Sequence, residues 1–151
     1  MRDTDLPTRR LRTWLRLLRL TRGTENRLRE YLRVNHDTTL PRFDVMAALH
    51  RAHGPVKMSD VSRQLLVSNG NATAVVERLE KEALAARVPG EGDRRVVLVA
   101  LTEKGRAVFE AQAADHKAEV DRLFSMLGHE ELNALRDILH RVEEAGDAPT
   151  G

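Results

Sequence analysis

The stretch SDVSRQLLVSNGNATAVVERLEKEAL, residues 59–84, constrains the fold more than any other part of the chain. Its second half places Ala72, Val75, Val76, Leu79 and Ala83 at i, i+3, i+4, i+7 and i+11, a single apolar stripe along an amphipathic helix. Ahead of it Ser59, a residue type that caps helix N-termini, is followed by Val61, Leu65 and Leu66, which mark a shorter helix. Only Val67, Ser68, Asn69 and Gly70 join the two, with Ser68 available to cap the second. Two short helices on so tight a connector, glycine included, have helix-turn-helix spacing.

The flanks extend this pattern. Residues 9–33 carry Leu11, Trp14, Leu15, Leu18, Leu28 and Leu32, with Leu17, Leu20 and Tyr31 on a further face. A helix apolar on more than one side is either central or shared with a second chain. Pro41 follows the Asp37–Leu40 connector and fits the first turn of the next helix, which carries Phe43, Met46, Ala47, Leu49 and His50 and ends at His53-Gly54-Pro55. Arg87-Val88-Pro89 and Val96–Leu101 read as two strands around a glycine loop. Thr102 can cap a long helix with a stripe at Val120, Leu123, Phe124 and Leu127. Gly128 ends it, and Leu132, Leu135, Ile138, Leu139 and Val142 form a last amphipathic helix. The expected fold is mainly α with a small β hairpin. One domain spans residues 9–145, between a flexible N-terminus (1–8) and a loose tail (146–151).

Composition excludes several classes. With 41% hydrophobic and 32% charged residues, the 151-residue chain is folded rather than disordered. No apolar run reaches the ~18 residues of a membrane span, and the start MRDTDLPTRR is no secretory signal, so a cytoplasmic location and no membrane partner are expected. The absence of cysteine rules out disulfides, thiol catalysis and cysteine-held zinc. The six histidines are scattered, and no Ser-His-Asp, phosphate-loop or nucleophile-elbow pattern occurs, which argues against an enzyme or a cofactor. His50 and His53 are three apart on one helix, but no further ligands stand at metal-binding spacing. Charge is unevenly spread: residues 1–33 hold ten Arg against Asp3, Asp5, Glu25 and Glu30, whereas residues 106–151 hold five basic and ten acidic groups. A basic head is either an anion-binding surface or a solvated helix face.

The order of these elements, with SDVSRQLLVSNGNATAVVERLEKEAL followed by GDRRVVLVALTEKGR, resembles the MarR family of bacterial winged-helix transcription regulators over about residues 9–145. The most specific part is the Asp93-x-Arg95 tip that leads into Leu101-Thr102-x-x-Gly105. The resemblance implies a winged helix-turn-helix over residues 41–101, flanked by dimerisation helices over 9–36 and 103–145. It implies a homodimeric repressor on a pseudo-palindromic double-stranded DNA operator. Asn69, Asn71 and Thr73 would then meet base edges in the major groove, with turn chemistry the alternative for Asn69 and Asn71 and an equal one for Asn69. Arg95 would enter the minor groove, Asp93 would orient it, and Arg94 would touch a phosphate. Read plainly, those three form an exposed turn. Lys57, Ser59 and Ser62 would contact phosphates. Ala83 stands where family members commonly have glycine, so either the recognition helix runs on or the wing leaves it at an altered angle.

Within the family, LRTWLRLLRLTR and HDTTLPRFDVMAAL look closest to the branch that responds to hydroxycinnamates, benzoates or their coenzyme A thioesters. That likeness implies a small-molecule effector whose carboxylate or phosphate pairs with Arg16, or else Arg12. Trp14, His36, Asp44 and His50 would line the cleft, with dimer core the alternative for Trp14 and a buttress of its own helix the alternative for Asp44. A metal-responsive or ligand-independent DNA-binding regulator of the same fold is the alternative reading.

Overall fold

The structure is a computed structural model that describes residues 5–65, 71–90, 92 and 95–147. Its described elements run α1 (Leu6–His36), α2 (Leu40–Arg51), β1 (Val56–Lys57), α3 (Met58–Gln64), α4 (Ala72–Lys81), β2 (Ala85–Pro89), β3 (Val97–Leu101), α5 (Glu103–Leu123) and α6 (His129–Asp147). The mainly helical class with a small sheet is as expected. The chain forms two compact units, Met1–Ala118 and Glu119–Gly151, which divide within α5. The buried residues of α5, namely Gly105, Phe109 and Gln112, all lie in its first half.

In the first unit α1 starts at Leu6, so residues 6–8 are helical rather than flexible. Asp5 occupies the N-cap and Pro7 the first turn, where a proline's fixed φ and missing N–H suit a helix. The helix ends because Asp37 turns left-handed at φ 48°, and its N–H returns to the Arg33 carbonyl at 3.2 Å. Thr39 then caps α2, accepting from the Arg42 N–H at 3.3 Å. Leu40, Phe43, Val45, Met46, Ala48 and Leu49 are all buried, so α2 is the central helix of this unit.

The sheet has the order β1-β3-β2, antiparallel throughout. Two of its strands match expectation, although β2 begins at Ala85 and β3 at Val97. The third, β1, pairs Val56 with Val99 and Lys57 with Leu98. Because β1 runs straight into α3, the helix opens at Met58 with Lys57 in the cap position, and Ser59 is not the cap but lies inside the first turn. Leu32, Leu49, Val56, Val61, Val76, Leu79, Val99 and Phe109 bring α1, α2, β1, α3, α4, β3 and α5 into one core. Each such side chain stabilises by about 1.5–3 kcal/mol.

In the second unit α5 closes at Leu123, short of the expected Leu127, with a turn at residues 124–126. The helix α6 continues to Asp147, beyond the expected start of the tail, and buries none of its residues. No described helix is long and apolar enough to cross a membrane.

Candidate nucleic-acid interface

The helix α4 owes its start to Asn71, whose Oδ1 accepts from the Ala74 N–H at 3.3 Å. Ala72, Val76 and Leu79 bury its inner face. Thr73, Ala74, Glu77, Arg78 and Lys81 are exposed on the other side. Thr73 is exposed, whereas the Asn71 carboxamide oxygen is engaged as a cap. Asn69 and Ser68 lie outside the described residues. Arg78 and Lys81, both off the apolar stripe, add two exposed basic side chains to this face.

The exit from α4 settles the question that Ala83 raised. The helix does not run on: Ala83 takes the left-handed conformation at φ 60°. Its N–H bonds the Glu80 carbonyl at 3.0 Å and that of Leu84 bonds the Leu79 carbonyl at 2.8 Å, the paired return bonds of a Schellman cap. The motif Leu101-Thr102-x-x-Gly105 then holds this exit. The Thr102 hydroxyl donates to the Ala83 carbonyl at 2.6 Å and accepts from the Gly105 N–H at 2.9 Å, while the Thr102 N–H bonds the Leu84 carbonyl at 3.1 Å. Gly105 must lack a side chain here, since a Cβ would stand 1.8 Å from the Leu84 carbonyl oxygen.

Beyond the exit, β2 and β3 form the hairpin of the wing. The Gly90 N–H bonds the Val96 carbonyl at 3.0 Å, Gly92 sits at φ 83°, and Arg95 is exposed in the turn. Asp93 and Arg94 lie outside the described residues. Arg87 ties β2 back to α4, reaching Glu80 at 2.7 Å and Glu77 at 4.0 Å. Lys57 and Ser59 are exposed at the β1–α3 junction. The Ser62 hydroxyl is also exposed and makes a 3.5 Å contact with the Met58 carbonyl of its own helix. The first unit therefore presents an exposed helix face, an exposed lysine and an arginine-bearing hairpin.

The six expected effector residues do not converge within one chain. Arg12, Trp14 and Arg16 are exposed on α1, whereas His36 lies 20 residues further along the same helix, about 30 Å at the helical rise. Asp44 is 3% exposed and belongs to the core of α2. The two histidines bind α5: His36 Nε2 lies 2.9 Å from Asp115, and His50 Nε2 lies 3.3 Å from Glu110. Between them Phe43 packs on Phe109 at 5.4 Å and stacks on His116 at 4.6 Å. Burial holds the His116 imidazole below the ordinary histidine value. His50 and His53 do not assemble a metal site, since no group of three His, Asp or Glu is placed to hold an ion among the described residues.

Comparison with known proteins agrees with this geometry. The MarR family pattern matches residues 36–96, which run from the end of α1 to the wing. The HTH-type transcriptional regulator MhqR of Bacillus subtilis is 29% identical over 132 residues, covering 87% of this chain and 90% of that protein. The regulator YfiV of the same species is 31% identical, covering 72% of this chain and 68% of its own length. Among solved structures, a mutant of MarR from E. coli complexed with operator DNA superposes with a TM-score of 0.75 at 25% identity, over 92% of this chain and 99% of that one. On these matches the chain belongs to the MarR family of winged-helix regulators, and it is a DNA-binding transcriptional regulator rather than an enzyme.

Proposed function

We propose that the chain acts as a cytoplasmic homodimeric repressor that holds a pseudo-palindromic operator and is released by a small aromatic acid or its coenzyme A thioester. The outward face of α4 carries the proposal: Thr73, Ala74, Glu77, Arg78 and Lys81 are exposed together, next to a hairpin that presents Arg95. In this reading α4 lies in the major groove, with Thr73 on base edges and Arg78 and Lys81 on bases or phosphates. Arg95 enters the adjacent minor groove, where narrow A·T tracts concentrate negative potential. Lys57, Ser59 and Ser62 fix the register on phosphates.

The dimer is supported by surfaces that a single chain leaves in water. Leu11, Trp14 and Leu15 on α1 and Leu132, Ile138, Leu139 and Val142 on α6 are all exposed, at helical spacing on each helix. Their charges are complementary between copies. From Arg9 to Arg22 α1 carries six arginines and no acid, while α6 carries Glu130, Glu131, Asp137, Glu143, Glu144 and Asp147 against Arg136 and Arg141. Twofold pairing would set the two α4 helices about one turn of DNA apart, roughly 34 Å.

We place the effector at the edge of that dimer surface, beside Trp14, on a segment of α1 that is exposed within one chain. Arg12 and Arg16 flank Trp14 and offer planar forks for a carboxylate or phosphate. The test is fluorescence anisotropy on a labelled duplex recovered by selection with the wild-type protein. Binding should weaken steeply with salt, at about 0.9 in log–log slope per phosphate neutralised. Free benzoates and hydroxycinnamates, then their coenzyme A thioesters, are titrated into the complex while the emission of Trp14, the sole tryptophan, is followed. Release with a matching change in emission supports the effector and its place. If neither class releases the duplex, the effector reading falls and the DNA-binding module stands.

A further inference from the structure

We infer that Arg42 and Glu82 form a strut that sets the angle of the recognition helix, so that both act on DNA affinity without touching DNA. The two residues are 40 apart in sequence, one in the first turn of α2 and the other at the C-cap of α4. Their contact is bidentate: Arg42 Nη1 donates to Glu82 Oε1 at 2.9 Å, and Nη2 donates to Oε2. Planar guanidinium against planar carboxylate fixes orientation as well as distance. The hydrogen bonds of this pair hold the Glu82 carboxyl below its ordinary range and the Arg42 guanidinium above its own.

The pair differs from the other ion pairs of the surface in how firmly both ends are set. The Arg42 side chain is only 15% exposed, and its Nε is buried with no partner among the described residues. Leaving a buried donor unmade is unfavourable, so the two bonds to Glu82 are set against that cost. The Arg42 backbone is pinned by the Thr39 cap, and its neighbour Phe43 is wedged against Phe109 and His116. At the other end, three successive carbonyls of the α4 exit are each taken by the segment that opens α5. Lys104 Nζ bonds the Glu82 carbonyl at 3.1 Å, the Thr102 hydroxyl that of Ala83, and the Thr102 N–H that of Leu84. These bonds fix where the exit lies. The Arg42 fork adds a lateral hold from α2, the central helix, against rotation of α4 about that point. A helix that must place Thr73 and Arg78 on a duplex needs such support, since small misplacements of a recognition element forfeit its contacts.

The sign of one substitution separates this strut from plain surface charge. Glu82 is an acid, 44% exposed, on the helix proposed to enter DNA. If its charge alone mattered, Glu82→Ala would tighten binding by removing repulsion from phosphates. The strut predicts weakening by about fivefold or more, within the range of coupling between residues in contact. Arg42→Ala should weaken binding to a similar degree with an unchanged salt slope, and the double variant Arg42→Ala/Glu82→Ala should be no worse than either single one. The swap Arg42→Glu/Glu82→Arg keeps the net charge and should recover part of the loss.

The measurement is anisotropy on the selected duplex across a salt series, with each variant's thermal midpoint recorded so that only folded protein is compared. Should Glu82→Ala fail to fold, Glu82→Gln removes the charge, keeps the shape and carries the same sign test. Unchanged or tighter binding by the folded Glu82 variant overturns the strut. So does a salt slope lowered by about one in Arg42→Ala, which would make Arg42 a phosphate contact. Failure of the wild-type chain to select any duplex would instead remove DNA binding itself, and the strut with it.

Discussion

Ala83→Gly should make the protein more stable, a rare direction for a substitution in a well-ordered helix exit. Ala83 sits at φ 60°, where the Cβ of an L-residue crowds the backbone at a cost of about 1–2 kcal/mol. Its methyl is exposed and belongs to no apolar cluster, so removing it forfeits little packing. Glycine adds freedom to the unfolded chain, which offsets about 0.4–1 kcal/mol. The net gain is about 0.5–1 kcal/mol, or about 1–4 °C in midpoint for a domain of this size. Thermal unfolding followed by far-UV circular dichroism at fixed protein concentration measures it. Lys81→Gly, two residues earlier in ordinary helical conformation, should destabilise by about 1 kcal/mol, lowering the midpoint, and serves as the opposed control. A midpoint for Ala83→Gly that is unchanged or lower would refute the left-handed cap and restore the alternative in which α4 continues past Ala83.

Three other substitutions test neighbouring parts of the argument. Gly105→Ala would drive a methyl into the Leu84 carbonyl and should destabilise by about 3 kcal/mol, at the upper end for overpacking, as read by chemical denaturation. Arg95→Ala should weaken operator binding by about 1–3 kcal/mol with no change in thermal midpoint, and an unchanged dissociation constant would remove the wing from the interface. Burial holds the His116 imidazole below its ordinary value, so the unfolded chain takes up a proton more readily than the folded one. Its contribution is full above the ordinary histidine value near 6.5 and is lost as pH falls below it. The difference in stability between wild type and His116→Leu should therefore shrink or reverse in favour of the variant from pH 7.5 to 5.5, and parallel curves would exclude the effect.

The winged-helix core was legible because its signals are local and periodic. The stripe through Ala72, Val76 and Leu79 marks α4 without any knowledge of what it packs against, and Leu101-Thr102-x-x-Gly105 marks a capped helix start. The two-residue strand β1 was not legible as a sheet member, because Val56–Lys57 is too short to show alternation and acquires its strand character only by pairing with β3. The same pairing explains why Ser59, by type a cap, is not one. The effector residues failed to converge for a different reason. Helical spacing places Arg16 and His36 on one helix but carries no distance to a partner surface, and His36 and His50 are held by Asp115 and Glu110, 79 and 60 residues away in sequence. Long-range carboxylate partners of this kind leave no periodic trace.

The departure at Ala83 and the anchoring around it belong to the same physical problem. A recognition helix ends in unpaired carbonyls, and in this chain they lie at the junction that must also aim the wing. Glycine at this position would relax the turn at no steric cost. With alanine the exit is strained, and a strained exit persists only where its surroundings over-determine it. Thr102, Lys104 and the Leu84 to Leu79 bond supply that surplus from the wing side, and Arg42 supplies it from α2 through the Glu82 carboxylate. If α4 and the hairpin meet DNA as proposed, the bonds that finish this helix also set how the two are presented together, and substitutions far from any base are then expected to alter affinity for DNA.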